Sequence, residues 1–156
     1  MDEKAETVQS SNIKITVRDL DGNIKDEQVL KNLITTVGLN MLRDGLYGDV
    51  NDLEVKYLAI GDDNTAPALA DTALANETFR KARTSQSKPA DTQVRYVQYI
   101  APDEAIGVIE EIGWFAGAAA GAGADTGILI ARVLYSRVKT ALESIQVERT
   151  DSFAEA

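Results

Sequence analysis

Ile13, Ile15 and Val17 alternate with Lys14, Thr16 and Arg18. That two-residue period predicts a half-buried strand. The Asp19–Asn23 stretch that follows contains Asp21-Gly22, a tight-turn signal, and Ile24–Glu27 reads as the short return strand of a hairpin. The period then changes. Val29, Leu30, Leu33, Ile34, Val37, Met41 and Leu42 recur at steps of three and four, predicting one amphipathic helix over about 28–44, stopped by Gly45 and Gly48. Leu46 and Tyr47 are expected to fold back onto the core.

Beyond Asp52 the pattern is that of strands. Val55, Tyr57 and Ala59 alternate with Lys56, Leu58 and Ile60, an apolar-rich strand suited to the middle of a sheet. Residues 61–71 read as an acidic loop, 72–76 as a turn, and 78–88 as a basic segment. Pro89-Ala90-Asp91 signals another turn. Val94, Tyr96 and Gln98 share one face of the next strand. In 105–115, Ile106, Val108, Ile112 and Trp114 are expected to face the same way. Residues 116–127 form a Gly/Ala loop, 128–135 a buried strand interrupted by Arg132, and 142–149 a last strand placed at an edge. Strands and helices do not alternate, which argues against a doubly wound parallel sheet. The prediction is a mainly β fold, an antiparallel, jelly-roll-like β-sandwich with one amphipathic helix near the N-terminus. Residues 1–11 are read as a mobile arm, 12–150 as a single domain, and 151–156 as a loose tail.

Composition narrows the chemistry. The chain has 156 residues with no Cys and no His. Within this chain that excludes thiol nucleophiles, serine triads, and zinc sites built on Cys or His. Sixteen basic against 25 acidic residues give a net charge of −9, which argues against a nucleic-acid partner. The weakly apolar stretch 112–124 is too short to cross a bilayer, and the polar N-terminus lacks the pattern of a secretory signal. No membrane partner is expected, and the chain is expected to be made and used in a cytosol or released by a route other than signal-dependent secretion.

The candidate sites read mostly as structural. The Gly117–Gly127 loop lacks the Lys-Ser/Thr of a phosphate-binding loop and the third Gly of a dinucleotide site, so it reads as a flexible hairpin loop. Asp19, Asp21 and Asn23 have the alternate spacing of a calcium loop, but Gly and Glu do not fall where that loop needs them. Asp62, Asp63 and Asp71 read as solvated turn residues. Glu110 and Glu111 are adjacent and point to opposite strand faces, so they form no carboxylate pair; one of them is expected to pair with Arg80 or Arg132. Trp114 is assigned to the core. No cofactor, metal or catalytic residue is assigned. The candidate subunit-interface residues are Arg80, Lys81, Arg83 and Lys88 of the basic segment, Phe115 at a strand end, and Gly121 and Gly123 of the loop.

One layout stands out. Tyr57-Leu-Ala-Ile-Gly-Asp62 is followed by Ala66-Pro67, Asp71-Thr-Ala-Leu74, Asn76-Glu77 and Arg80-Lys81. Then come Glu111-Ile-Gly-Trp-Phe115, the Gly-rich loop, Gly127-Ile-Leu-Ile-Ala-Arg132 and Lys139, with Lys31-Asn-Leu-Ile34 and Gly38-Leu39 upstream. This ordered set, over residues 28–149, resembles tailed-bacteriophage virion structural proteins, among them the baseplate-docking N-terminal regions of tail fibres. Trp114 departs from the Leu more usual there, and the Gly/Ala loop is longer than a tight turn. The resemblance implies a non-enzymatic virion protein of the tail, baseplate or fibre-attachment region. Its implied partners are other virion proteins and copies of itself, a homo-oligomer for which a trimer or hexamer is the expected symmetry. A head decoration or head-fibre protein is the alternative. A carbohydrate-binding module, which needs exposed aromatics on one face, is the alternative of another class; the chain has one Trp, five Tyr and three Phe.

Overall fold

In a computed structural model that describes residues 7–155, ten strands and one helix form two antiparallel five-stranded sheets packed face to face. The strands are β1 (Thr7–Asp19), β2 (Ile24–Lys31), β3 (Leu33–Ile34), β4 (Val55–Gly61), β5 (Glu77–Ala82), β6 (Ser85–Ser87), β7 (Gln93–Ile100), β8 (Gly107–Ala116), β9 (Ile128–Lys139) and β10 (Glu143–Glu155), and the helix is α1 (Thr36–Tyr47). Sheet A has the order β2-β1-β10-β7-β6 and sheet B the order β3-β9-β8-β4-β5. The protein is a mainly β sandwich with one helix.

The core lies between the sheets. Sheet A contributes Ile13, Ile15, Val17, Ile145 and Val147, and sheet B contributes Leu58, Ile60, Ile112, Trp114 and Val133. Met41 brings α1 onto the same core. Successive strand side chains point to opposite faces, so Trp114 enters this core while Phe115 joins a second cluster with Ala59, Leu74 and Leu129 on the outer face of sheet B.

The helix differs from its expected bounds. Gln28, Val29, Leu30 and Lys31 pair with Ile15, Lys14, Ile13 and Asn12 of β1, so this half of the apolar stripe is strand. At Asn32 the chain passes from sheet A to sheet B, and Leu33–Ile34 pair with β9. Thr35 then caps α1, its Oγ1 accepting the N–H of Gly38 at 3.0 Å. Gly45 lies inside the helix, where a Cβ would strike the Leu53 side chain. Gly48, at φ 97°, ends it by donating its N–H to Asp44 O at 3.0 Å. Leu46 and Tyr47 do not return to the core; they are 92% and 80% exposed.

Three further expectations are corrected. Residues 7–11 of the expected arm belong to β1 and pair with 151–155 of the expected tail, because the two long strands continue their ladder past the sandwich. Residues 1–6 and 156 lie outside the described residues. β10 is not an edge strand but sits between β1 and β7. Finally, a bulge between Ile109 and Glu111 reverses the alternation of β8. Ile109, Ile112 and Trp114 are buried, while Ile106 and Val108 are exposed.

Candidate functional site

The outer face of sheet B carries the two long loops, and each loop is held by one buried ion pair. The first pair begins at Glu111, which the bulge and the following alternation place beneath the 62–76 loop. Its carboxylate is fully buried and accepts the N–H groups of Ala75 at 3.0 Å and Asn76 at 2.8 Å. Arg132 of the neighbouring β9 donates Nε to the same carboxylate at 2.6 Å. The guanidinium continues outward, with Nη2 donating to Thr65 O at 2.7 Å and Nη1 reaching Asp71 at 3.4 Å. Every direction of this pair is used, as buried charges require. Gly61 makes room for it, since a side chain there would overlap Glu111 and the Asn76 carbonyl. The expected Glu–Arg pairing is therefore Glu111 with Arg132. Glu110 instead accepts from Ser136 Oγ at 3.3 Å.

The second pair is Arg80 with Glu77 on β5, both side chains only 3% exposed. Nε and Nη2 of Arg80 donate to the two oxygens of Glu77 at 3.0 and 2.8 Å. Nη1 donates to Gly121 O at 3.1 Å and to Thr126 O at 2.7 Å. The guanidinium lies over the Phe115 ring, 4.1 Å from its centroid. Thr126 Oγ1 closes the loop on itself by donating to Gly123 O at 2.7 Å and accepting from Gly121 N at 3.1 Å. Gly127, at φ 91°, ends the loop where a Cβ would collide with Ala120. The Gly/Ala loop is thus braced rather than free.

The seven expected interface residues separate accordingly. Arg80, Phe115 and Gly121 meet in one internal cluster. Phe115 has no exposed surface, and Arg80 is engaged on all sides. For the buried Arg80 and Phe115 the expected subunit contact is replaced by loop bracing, while Gly121 stays half-buried on the loop. Lys81 donates Nζ to Tyr99 O at 2.7 Å and to Glu104 at 2.6 Å, tying β5 of sheet B to β7 of sheet A. Burial pushes the Glu104 carboxyl up, but the Lys81 bond and charge and the Ala101 N–H outweigh it and leave it below its ordinary range. Arg83 donates to Val55 O at 2.7 Å and pairs with Glu54. Lys88 and Gly123 are exposed.

The acidic loops are turns. Asp19 accepts the N–H groups of Asp21 at 3.0 Å and Asn23 at 2.9 Å. Asp63 accepts from Thr65, and Asp62 from Asn76. The Asp19 and Asp63 bonds are the side-chain-to-backbone bonds that Asp favours in turns, whereas Asp62 accepts from the Asn76 side-chain amide across the loop. Among the described residues no group of three or more Asp/Glu side chains is placed to hold a metal ion, and no helix is long and apolar enough to cross a membrane.

Two features carry no signal in the sequence. One is a groove of about 440 Å³ between α1 and the start of the Gly/Ala loop, floored by Val37, Met41, Ala116 and Ile128. Asp44, Asp49 and Asp52 stand on its rim. Asp44 pairs with Arg43 and Asp52 with Lys56, each at 2.7 Å. Asp49 has no cationic partner among the described residues. The other feature is a polar inset in the core. Arg149 is fully buried, donates Nε to Asp151 at 2.8 Å and Nη2 to Ser11 Oγ at 3.1 Å, and lies 5.0 Å from the Trp114 ring centroid. Its Nη1, the Trp114 Nε1 and both amide atoms of the buried Gln98 have no hydrogen-bond partner among the described residues. Burial pushes the nearby Tyr96 phenol up to about 12.

No protein-family model, curated protein or solved structure matches the chain.

Proposed function

We propose that this chain is a non-enzymatic structural protein of a tailed-bacteriophage virion, from the tail, baseplate or fibre-attachment region, acting by packing against other virion proteins and copies of itself. One observation carries the reading. The short motifs that resemble virion proteins, scattered along the sequence, come together as one unit. Tyr57–Asp62 lies mainly on β4, Glu111–Phe115 on β8 and Gly127–Arg132 mainly on β9, three adjacent strands. The Asp71–Asn76 stretch is hung on them by Glu111 and Arg132, and Arg80 fixes the Gly-rich loop beside it. The buried ionisable side chains of this face hold loops in place, and rigid loops on a sandwich make a preformed docking surface with little ordering cost on assembly.

Gold-labelled antibody electron microscopy on phage particles from a lysate containing the chain tests this. Label at the tail tip or collar is the expected result. Label over the head would replace the tail assignment with a head decoration or head-fibre role. Intact particles without label, from cells in which the protein is abundant, would overturn the virion assignment.

A further inference from the structure

We infer that the groove beside α1 receives the Ser87–Ala90 turn of a second copy of this chain, with Lys88 of one copy meeting Asp49 of the other. The inference rests on the assembly reading above and names the partner and the contact.

The groove is concave, has an apolar floor, and its volume of about 440 Å³ falls in the range of sites that enclose a ligand or several side chains. Its rim has one carboxylate left over. Asp44 and Asp52 are neutralised within the chain, while Asp49 is exposed and unpaired among the described residues. The adjoining Leu46 and Tyr47 are the two most exposed large apolar side chains among the described residues. Exposed aromatic and aliphatic groups beside an apolar concavity are the usual makings of an interface.

The complement is on the same molecule. Residues 84–92 are exposed at every position, so β6 and the turn after it lie open on the surface at the end of sheet A, while β7 stays paired to β10. Lys88 at its tip has no carboxylate partner among the described residues, whereas Lys81, Arg80, Arg83 and Arg132 all have one. Arg95 faces Ser87 across the hairpin and donates Nε to Thr150 Oγ1 at 3.1 Å, with no carboxylate partner among the described residues, so Lys88 and Arg95 outnumber the one carboxylate of the turn, Asp91. Pro89 and Ala90 supply small apolar bulk, and proline's fixed φ lowers the ordering cost. The turn lies at the free edge of sheet A and the groove on the α1 side of sheet B, so every copy offers both halves. Such a contact joins unlike surfaces, and copies joined this way close into a ring or run on as a filament. A turn in a groove buries less than the ~1,200 Å² of a standard interface, so one contact is weak and ring closure strengthens it.

Sedimentation velocity of the full chain over rising concentration at low salt tests the contact. The native chain is expected to associate reversibly. Lys88→Asp and Asp49→Lys should each weaken association at least about tenfold. The double variant, with the charges exchanged, should recover most of the native association. Asp49→Asn and Lys88→Ala should act in the same direction with smaller loss, and circular dichroism should show all variants folded. A chain monomeric at every concentration, association indifferent to either substitution, or no recovery in the double variant would each overturn the inference. Virion labelling with a monomer in solution would sink this contact alone; absence of label would sink the assembly reading instead.

Discussion

The sandwich buries arginine in two ways. On the outer face of sheet B, Arg132 is paired with Glu111 and also donates to the Thr65 carbonyl, and Arg80 is paired with Glu77, two loop carbonyls and an aromatic face. Between the sheets, Arg149 has Asp151 and Ser11, but one of its nitrogens, the Trp114 indole and the Gln98 amide go without a partner among the described residues. A buried charge is expensive to desolvate, and only complete hydrogen bonding offsets that cost. The outer pairs fix loops that have little apolar surface of their own. The core needs no such help, and its polar inset stands as a local weakness in otherwise good packing.

The largest way to break this contrast is to remove one member of an outer pair. Arg132→Met leaves Glu111 buried and unpaired, and the expected loss is about 3–5 kcal/mol in urea unfolding. Residues 62–76 should gain fast amide exchange before the rest. Arg80→Met should cost about 2–3 kcal/mol, through lost charge-assisted bonds, and expose 117–127 to limited proteolysis. If either variant unfolds at the native urea midpoint with its loop still protected, the pairs do not brace the loops.

These pairs also show what the sequence makes legible. The alternation at Ile13–Val17 and Val55–Ile60, and the Asp-Gly turn, mark their elements from local pattern alone, and the fold class follows from them. The Glu–Arg pairing on one sheet face is readable as a possibility, but its identity depends on strand order, since Glu111 and Arg132 meet only because β8 and β9 are neighbours. The helix start is hidden because Val29-Leu30 and Leu33-Ile34 fit both a helical stripe and two short strands; pairing with β1 and the Thr35 cap decide between them. The phase of β8 is hidden because a bulge adds a residue without a mark in composition. The expectation of interface contact for Arg80 and Phe115 fails for a related reason. A basic residue and a ring beside a Gly-rich loop look the same whether the loop is free or folded back over them.

A smaller effect of opposite sign sharpens the contrast from the core side. Gln98 is fully buried, and neither amide atom has a partner among the described residues. Gln98→Leu removes an unsatisfied group and keeps apolar bulk, so stability should rise by about 1 kcal/mol. The fluorescence of Trp114, the only tryptophan, should report unchanged packing. A loss of stability instead would mean that the amide is hydrogen-bonded in solution, and the core inset would then be as well satisfied as the outer pairs.

The smallest effect concerns Glu143, buried at the start of β10, where it lies between the two cases. Burial pushes its carboxyl up, but the Arg137 bond at 2.6 Å and the charges of Arg137 and Lys25 outweigh this and hold it below the ordinary range. A carboxyl lowered in the folded state binds protons more readily when unfolded. Its contribution is therefore fully present above the unfolded value of 4.5 and is lost as pH falls through the lower folded value. The native chain should lose stability over that acid window, and Glu143→Gln should lose less over the same window while being less stable at pH 7. Urea midpoints at pH 7, 4.5 and 3 measure both slopes. Equal slopes would show that Glu143 draws no net benefit from Arg137, and that a charge at the end of the sandwich behaves like the incompletely satisfied core and not like the braced outer face.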